Sequence, residues 1–402
     1  MTVFNAGLPQ QVASTASSLP VGSIIQAPYN LTDPTFLPCD YRKLLRATYL
    51  KLSACLPGIG VFTATARTKP AAPTSSAIAG NATNWVVTGA VGTSNLYYTP
   101  DGITYNVTTT PATCDIRSLL NDGTNFVAAN AVAGAMLYST TNGTTWSTSA
   151  SATVGAPTGG LQTCMTWAST LGANGRFCVA GGGANFYTSD DRGVTWTTRA
   201  HGLGGNVFHV CWTGTKFVAT TGTAGVIYTS TDAITWVSQT MSFATTAATA
   251  TQGSIVSDGI GKVLWIDVGS TGRIFTSLDN GVTWSVRGFS SVFTASSPVM
   301  ISSASGTATY TNGRFFMTLG GGSINQTLSS TDLVGWAYIE LPQAVLIGAT
   351  VSYKSGVYLC NADNSSTASY TLTEDTTYMR LPYPMQNVNG SWNNFMPFIK
   401  VQ

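Results

Sequence analysis

Charge is what this sequence has least of. Only 8% of its 402 residues are Asp, Glu, Lys or Arg, against roughly 25% in an average soluble protein. The net charge of +2 is spread thin, so no basic stripe exists for a phosphate backbone and no nucleic-acid partner is expected. Histidine occurs only as His201 and His209, and glutamate only as Glu340 and Glu374. No apolar run reaches about 18 residues, so no membrane insertion is expected. The opening residues, MTVFNAGLPQQVAST, lack a basic start and an apolar core and do not read as a secretory signal. The seven cysteines are odd in number and widely spaced, which argues against a disulfide framework and against a zinc cluster. Cys164, Cys178, Cys211 and Cys360 lie in apolar stretches and read as small buried hydrophobes made in a reducing cytoplasm. No cofactor or metal is implied.

Glycine is plentiful at 42 residues, and hydrophobic residues at 44% exclude a disordered chain. Thr, Ser, Ala and Asn accompany the glycine, a composition of short strands and tight turns. The clearest repeating unit is YTSDDRGVTW, from Tyr187 to Trp196. It returns as YTSTDAITW (from Tyr228) and FTSLDNGVTW (from Phe275). Weaker copies begin at Tyr98, Tyr138, Leu328 and Tyr370. The closing aromatics fall at 105, 146, 196, 236, 284, 336 and 378, about 45 residues apart. That period is the length of one four-stranded propeller blade. Upstream of each unit lies an apolar strand such as NGRFCVAGG or GTKFVAT, and before it another β-prone stretch. The spacing therefore predicts an all-β fold, a seven-bladed β-propeller of four-stranded blades.

Within the unit, an Asp in a tight turn accepts backbone N–H groups that the ladder cannot reach. Gly193 and Gly281 permit positive φ, and the closing Trp is large enough to fill the wedge between blades. Asp190 or Asp191, Asp232, Asp279 and Asp332 therefore read as groups that hold the fold, scattered over different blades, in preference to a cation site. Ser189 to Trp196 and Ser277 to Trp284 resemble the Asp-box, S-x-D-x-G-x-T-W, of sialidase-type propellers. The resemblance implies a structural hairpin on the blade rim, remote from any catalytic centre.

A sialidase site needs three converging arginines and an F/Y-R-I-P segment, which is missing here. Arg117, Arg176, Arg192, Arg199, Arg273, Arg287, Arg314 and Arg380 are the arginines of the repeat region, with Arg176 and Arg314 in the same NGRF turn. A two-aspartate glycosidase would have to draw on Asp115, Asp258, Asp267 and Asp363. A Ser-His-Asp triad would need His201 or His209, and neither has a nucleophile-elbow context. The expectation is that the chain is not an enzyme and has no catalytic residues.

Residues 1–74 do not follow the repeat. Val21 to Ile25 reads as a strand, and Lys43 to Leu52 has apolar residues at helical spacing. Arg42, Lys43, Arg46, Lys51 and Arg67 read as a solvated helix face before an anion-binding one. Pro20 to Ile25, Phe36 to Asp40 and Arg46 to Leu52 resemble, in order and spacing, the phage tail collar domain of tail-fibre and related virion proteins; Tyr41 stands where that pattern has glycine. The division expected is a small α+β collar-like attachment domain (1–74), the propeller (75–385) and a C-terminal segment (386–402). Residues 393–402 either return to pair with 19–60 or complete the last blade from outside.

The resemblance implies a bacteriophage tail-fibre or tail-tip virion protein, assembled in the bacterial cytoplasm as a homotrimer with other tail proteins. Its propeller would be a receptor-binding display for a host-surface glycan or outer-membrane protein. The alternatives are a structural collar or decoration protein and a polysaccharide-degrading glycosidase. Trp85, Trp212, Trp265 and Trp392 are aromatic candidates for a glycan platform. The first three have strand-like neighbours that favour the core, and the receptor-binding residues stay unassigned.

Overall fold

A computed structural model describes residues 24–28, 36–38, 43–49, 52, 60–70, 77–90, 92–132, 136–150, 163–181, 183–242, 253–267, 273–288, 306–321, 324–333, 336–339, 341, 347–363, 368–380 and 395–400. Within them the strands form seven four-stranded antiparallel blades. The innermost strands are Ile78–Gly80, Ile116–Asn121, Met165–Ala168, Val207–Trp212, Ser254–Ser257, Gly306–Thr311 and Ile347–Lys354. Each touches the next, and the last returns to the first, so the ring is closed.

Each blade builds outward from its inner strand. In the third, Met165–Ala168 pairs with Arg176–Ala180, then Asn185–Ser189, then Thr197–Ala200. Both faces of the inner strands are covered by neighbouring blades, which is why they read as apolar runs without strict alternation. Val207–Trp212, VFHVCW, is buried at every position. The outer strands Thr197–Ala200 and Val237–Thr240 are mostly exposed.

The seventh blade is assembled differently. Its third strand, Ala368–Arg380, runs straight through the seventh copy of the repeat, YTLTEDTTY, without a turn. That copy lacks the Ser-x-Asp-x-Gly residues that reverse the chain elsewhere. Its outer partner is Gly60–Thr68, from the segment ahead of the repeats, paired from Ala368↔Thr68 to Asp375↔Val61. The ring is thus closed from the N-terminal side, not by the C-terminal strand. Phe395–Lys400 lies instead between Ile24–Pro28 and Phe36–Pro38 in a separate three-stranded sheet. Lys43–Leu45, expected to be helical, is a strand on the far end of Ala368–Arg380, followed by a turn at 46–48. The exposed pairing edge of that long strand outweighs a short apolar pattern at helical spacing. Of the rest of that stretch, residues 50 and 51 lie outside the described residues, as does Trp392.

Blades lock by setting the third-to-fourth-strand turn of one against the second strand of the blade before it. Gly143, Gly193 and Gly281 have φ of 81°, 87° and 76°. A Cβ on them would meet Val86, Val127 and Val218 at 2.2, 2.9 and 3.0 Å. Glycine is required there twice over, by backbone conformation and by contact. The closing tryptophans then fill the wedge. Trp236 stacks on Phe186 of the preceding blade at 3.8 Å and 7°.

Replacing Gly193 with Ala is expected to cost about 1–3 kcal/mol, from the left-handed backbone and the clash with Val127. Urea denaturation should show the Gly193→Ala/Val127→Ala pair losing less than the two single changes added together. Strict additivity would separate the turn from its seat.

Candidate binding site in the central channel

The seven inner strands enclose a channel with a cavity of about 310 Å³, at the lower end of the small-ligand range of about 300–1,000 Å³. Its floor is an apolar layer of one residue per blade, Ile78, Leu119, Met165, Val210, Ile255, Ala308 and Val351, all of them buried. Exposure rises toward the C-terminal end in five of the seven inner strands, while Val207–Trp212 stays buried throughout and Met165–Ala168 ends on buried Ala168. Leu119 is sealed while Leu120 and Asn121 are half-buried, and Ile255 is sealed while Val256 and Ser257 are half-buried. Ala308 is sealed below half-buried Tyr310 and Thr311. The mouth therefore opens on the side where first strands turn into second strands. The repeat turns share that side, because strands alternate in direction within a blade.

The inner edge of each blade carries backbone groups without a ladder partner, and hydroxyls of adjacent blades satisfy several of them. Thr166 Oγ1 accepts Trp212 N–H at 3.0 Å, Thr309 Oγ1 accepts Val351 N–H at 3.3 Å, and Thr311 Oγ1 accepts Tyr353 N–H at 3.1 Å. Deeper in, Ser254 Oγ accepts Ala308 N–H, and Thr307 Oγ1 donates to Ala349 O at 2.7 Å. His209, fully buried, meets Thr163 Oγ1 through Nδ1 at 2.9 Å. It belongs to this cross-blade ring and lies below the mouth.

The charged candidates are held elsewhere, in struts between and within blades. Arg176 pairs with Asp190 at 2.6 Å and donates to Asp232 O at 2.7 Å, tying the third blade to the fourth. Arg192 reaches Asp122 of the second blade at 3.2 Å. Arg314 joins Glu374 at 2.8 Å across the sixth and seventh. Arg117 pairs with Asp115 at 2.6 Å, and Arg199 donates to Thr188 Oγ1. Asp258 caps its own turn by accepting Ile260 and Lys262 N–H, and Asp267 is buried. His201 sits under the 201–206 loop, where Leu203 N–H donates to its Nδ1. Burial pushes that histidine toward its neutral form. Trp85, Trp212 and Trp265 are buried. The side chains of Arg273, Arg287, Arg380 and Asp363 and all of Glu340 lie outside the description. Among the described residues no group of three or more His, Cys, Asp or Glu could hold a metal ion.

The turn aspartates bind their own backbone. Asp191 Oδ1 accepts Thr195 N–H and Ser189 Oγ–H, both at 2.8 Å, and Asp279 repeats this with Thr283 and Ser277. Asp232 accepts Ile234 and Thr235 N–H, and Asp101 accepts Ile103 and Thr104 N–H, all at 2.8 Å. Burial alone would raise these carboxyls. The hydrogen bonds outweigh it and hold all four below the usual aspartate range.

No family model matches the chain, and no curated protein matches it in sequence. Solved structures do. A streptogramin B lyase superposes with a TM-score of 0.57 at 13% identity, over 78% of this chain and 98% of its own. YCF48 bound to D1 peptide gives 0.53 at 16%, over 79% and 99%. Virginiamycin B lyase from Staphylococcus aureus gives 0.53 at 11%, over 78% and 99%. At such identities the likeness shows the propeller fold alone. It nevertheless corrects one expectation. Two of these neighbours are lyases, so the fold is one that enzymes use, and the exclusion of enzyme activity drawn from motifs does not stand.

The depressed carboxyls fix the acid response. An aspartate held below its unfolded value of about 3.9 adds stability that is complete above that pH and is lost as pH falls through the lower folded value. Thermal melts should thus stay flat from neutral pH to about pH 4 and fall below it. The Asp191→Asn/Asp279→Asn protein should be less stable at pH 7, by under about 1 kcal/mol per site because both turns face solvent, with a shallower acid limb. An unchanged limb would place the acid response elsewhere.

Proposed function

We propose that this chain is a tail-associated virion protein of a bacteriophage that displays its propeller to a host-surface receptor, an uncharged glycan in particular. One observation carries this reading. Strands from both ends of the chain, Ile24–Pro28, Phe36–Pro38 and Phe395–Lys400, form one small sheet of their own, so the closed ring is an insertion between the parts of a single attachment element. An anchor made of the chain ends and a rigid ring held out from it is the arrangement that attachment and display require. The collar resemblance of residues 20–52 supports the same assignment of the N-terminal part. The neutral, hydroxyl-bearing channel suits recognition of sugar by hydrogen bonds. In this reading the protein assembles as a homotrimer with other tail proteins.

Purified, fluorescently labelled full-length protein should bind saturably to a subset of bacterial strains and should block phage adsorption to those strains. Absence of binding by folded protein in its native oligomeric state would favour a structural role in the virion instead.

A further inference from the structure

We infer that the open end of the channel is a site for a single neutral sugar ring, with the hydroxyls of Thr166, Thr309 and Thr311 as its hydrogen-bond donors. The inference rests on the display reading only for the source of the sugar; the site itself is argued from the channel.

Each of these three hydroxyls already accepts a backbone N–H from the next blade. A hydroxyl has one proton to give besides the lone pairs it uses. Among the described residues none of the three has an acceptor for that proton, and all three line the cavity. Three donors held by acceptance from a rigid strand edge, on two blades across the channel, are preorganised for a ligand that carries several acceptor oxygens.

The rest of the lining narrows the class. Among the described residues no carboxylate, ammonium or guanidinium lines the cavity, so an ionic ligand would lose its hydration without gaining a partner. The floor is apolar, and the wall includes Tyr310, whose ring packs on Phe315 at 4.8 Å. A pyranose offers a hydroxyl rim and an apolar C–H face, the two chemistries this cavity presents. The volume of about 310 Å³ admits one such ring and not a folded peptide or a dinucleotide. Asn121 and Ser257, also at the mouth, are already engaged in their own turns, while the hydroxyls of Tyr310 and Ser352 stand beside the threonines in the lining.

The test is saturation-transfer NMR of the full-length protein with glucose, galactose, mannose and N-acetylglucosamine, and with glucuronate as a charged comparator. At least one neutral sugar should bind saturably and better than glucuronate. Thr166→Val and Thr311→Val should each weaken binding about fivefold, and Thr166→Ser and Thr311→Ser should stay within about twofold of the parent. The serine variants, which keep the hydroxyl and drop only the methyl, separate loss of the hydroxyl from loss of packing. No saturable binding of any neutral sugar, or equal binding by the valine variants, overturns the site. Sugar binding without bacterial binding overturns the display reading and leaves the site standing. Competition by the free sugar against bacterial binding assigns the source to a surface glycan, and its absence assigns it to a free monosaccharide.

Discussion

Everything in this molecule depends on closing the ring. A four-stranded blade has two apolar faces, and only a neighbour on each side removes both from water. Six junctions follow from the chain running directly from one blade to the next. The seventh must be made by residues far apart in sequence, and several side chains clip it. Lys69 Nζ, almost fully buried, donates to Asn361 Oδ1 at 2.9 Å. Trp85 Nε1 donates to Ser352 O at 3.2 Å, and Lys354 lies over the Trp85 ring at 4.7 Å. Tyr105 and Ser369 meet through their hydroxyls at 2.7 Å. Because the outer strand of that blade, Gly60–Thr68, leads straight into the first blade, the closure also fixes the inner strands that shape the channel.

Turn length decides how well each junction is satisfied. Where the turn holds two successive left-handed residues, as at Arg192–Gly193, the indole of the closing tryptophan donates to the glycine carbonyl, at 3.1 Å for Trp196 and 3.0 Å for Trp284. The turns of the fourth and sixth blades are one residue shorter and put Ala233 and Leu333 at the left-handed position, with φ of 57° and 65°. Their side chains pack against the preceding blade where glycine stands in the longer turns. Ala233 joins the cluster of Cys178, and Leu333 that of Leu264. The consequence is that Trp236 and Trp336 have buried indole N–H groups without a partner among the described residues, a cost offset by tighter apolar packing.

The blades were legible because one turn chemistry recurs at one period. The outer strand of the seventh blade was legible in principle. One period before Tyr105 falls at about residue 60, where Gly60–Thr68 begins, and a fourth strand follows each closing aromatic. It was masked by the weak seventh copy, whose Glu374–Asp375 pair suggests a turn while its Thr-rich flanks continue as strand. The pairing role of Asp190 was not legible either, since two adjacent aspartates look alike until Arg176 arrives from fourteen residues upstream. The channel was wholly illegible. Its lining draws two to four bland residues from each of seven blades some 40–50 residues apart, and Thr166 or Thr311 has no local context that marks it.

The scarcity of charge and the neutrality of the channel have one physical cause. Inner strands buried on both faces cannot hold unpaired ions without large desolvation costs, so their edge groups must be satisfied by hydroxyls. On the inner strand Ile116–Asn121, Arg117 is neutralised by Asp115, and farther out Arg176, Arg192 and Arg314 join one blade to another. A ring fastened by charge at its rim and by hydroxyls at its axis presents donors without charge at its centre. That division makes the axis selective by hydrogen-bond geometry alone, and it is already implicit in a chain of 402 residues with only 34 ionised at neutral pH.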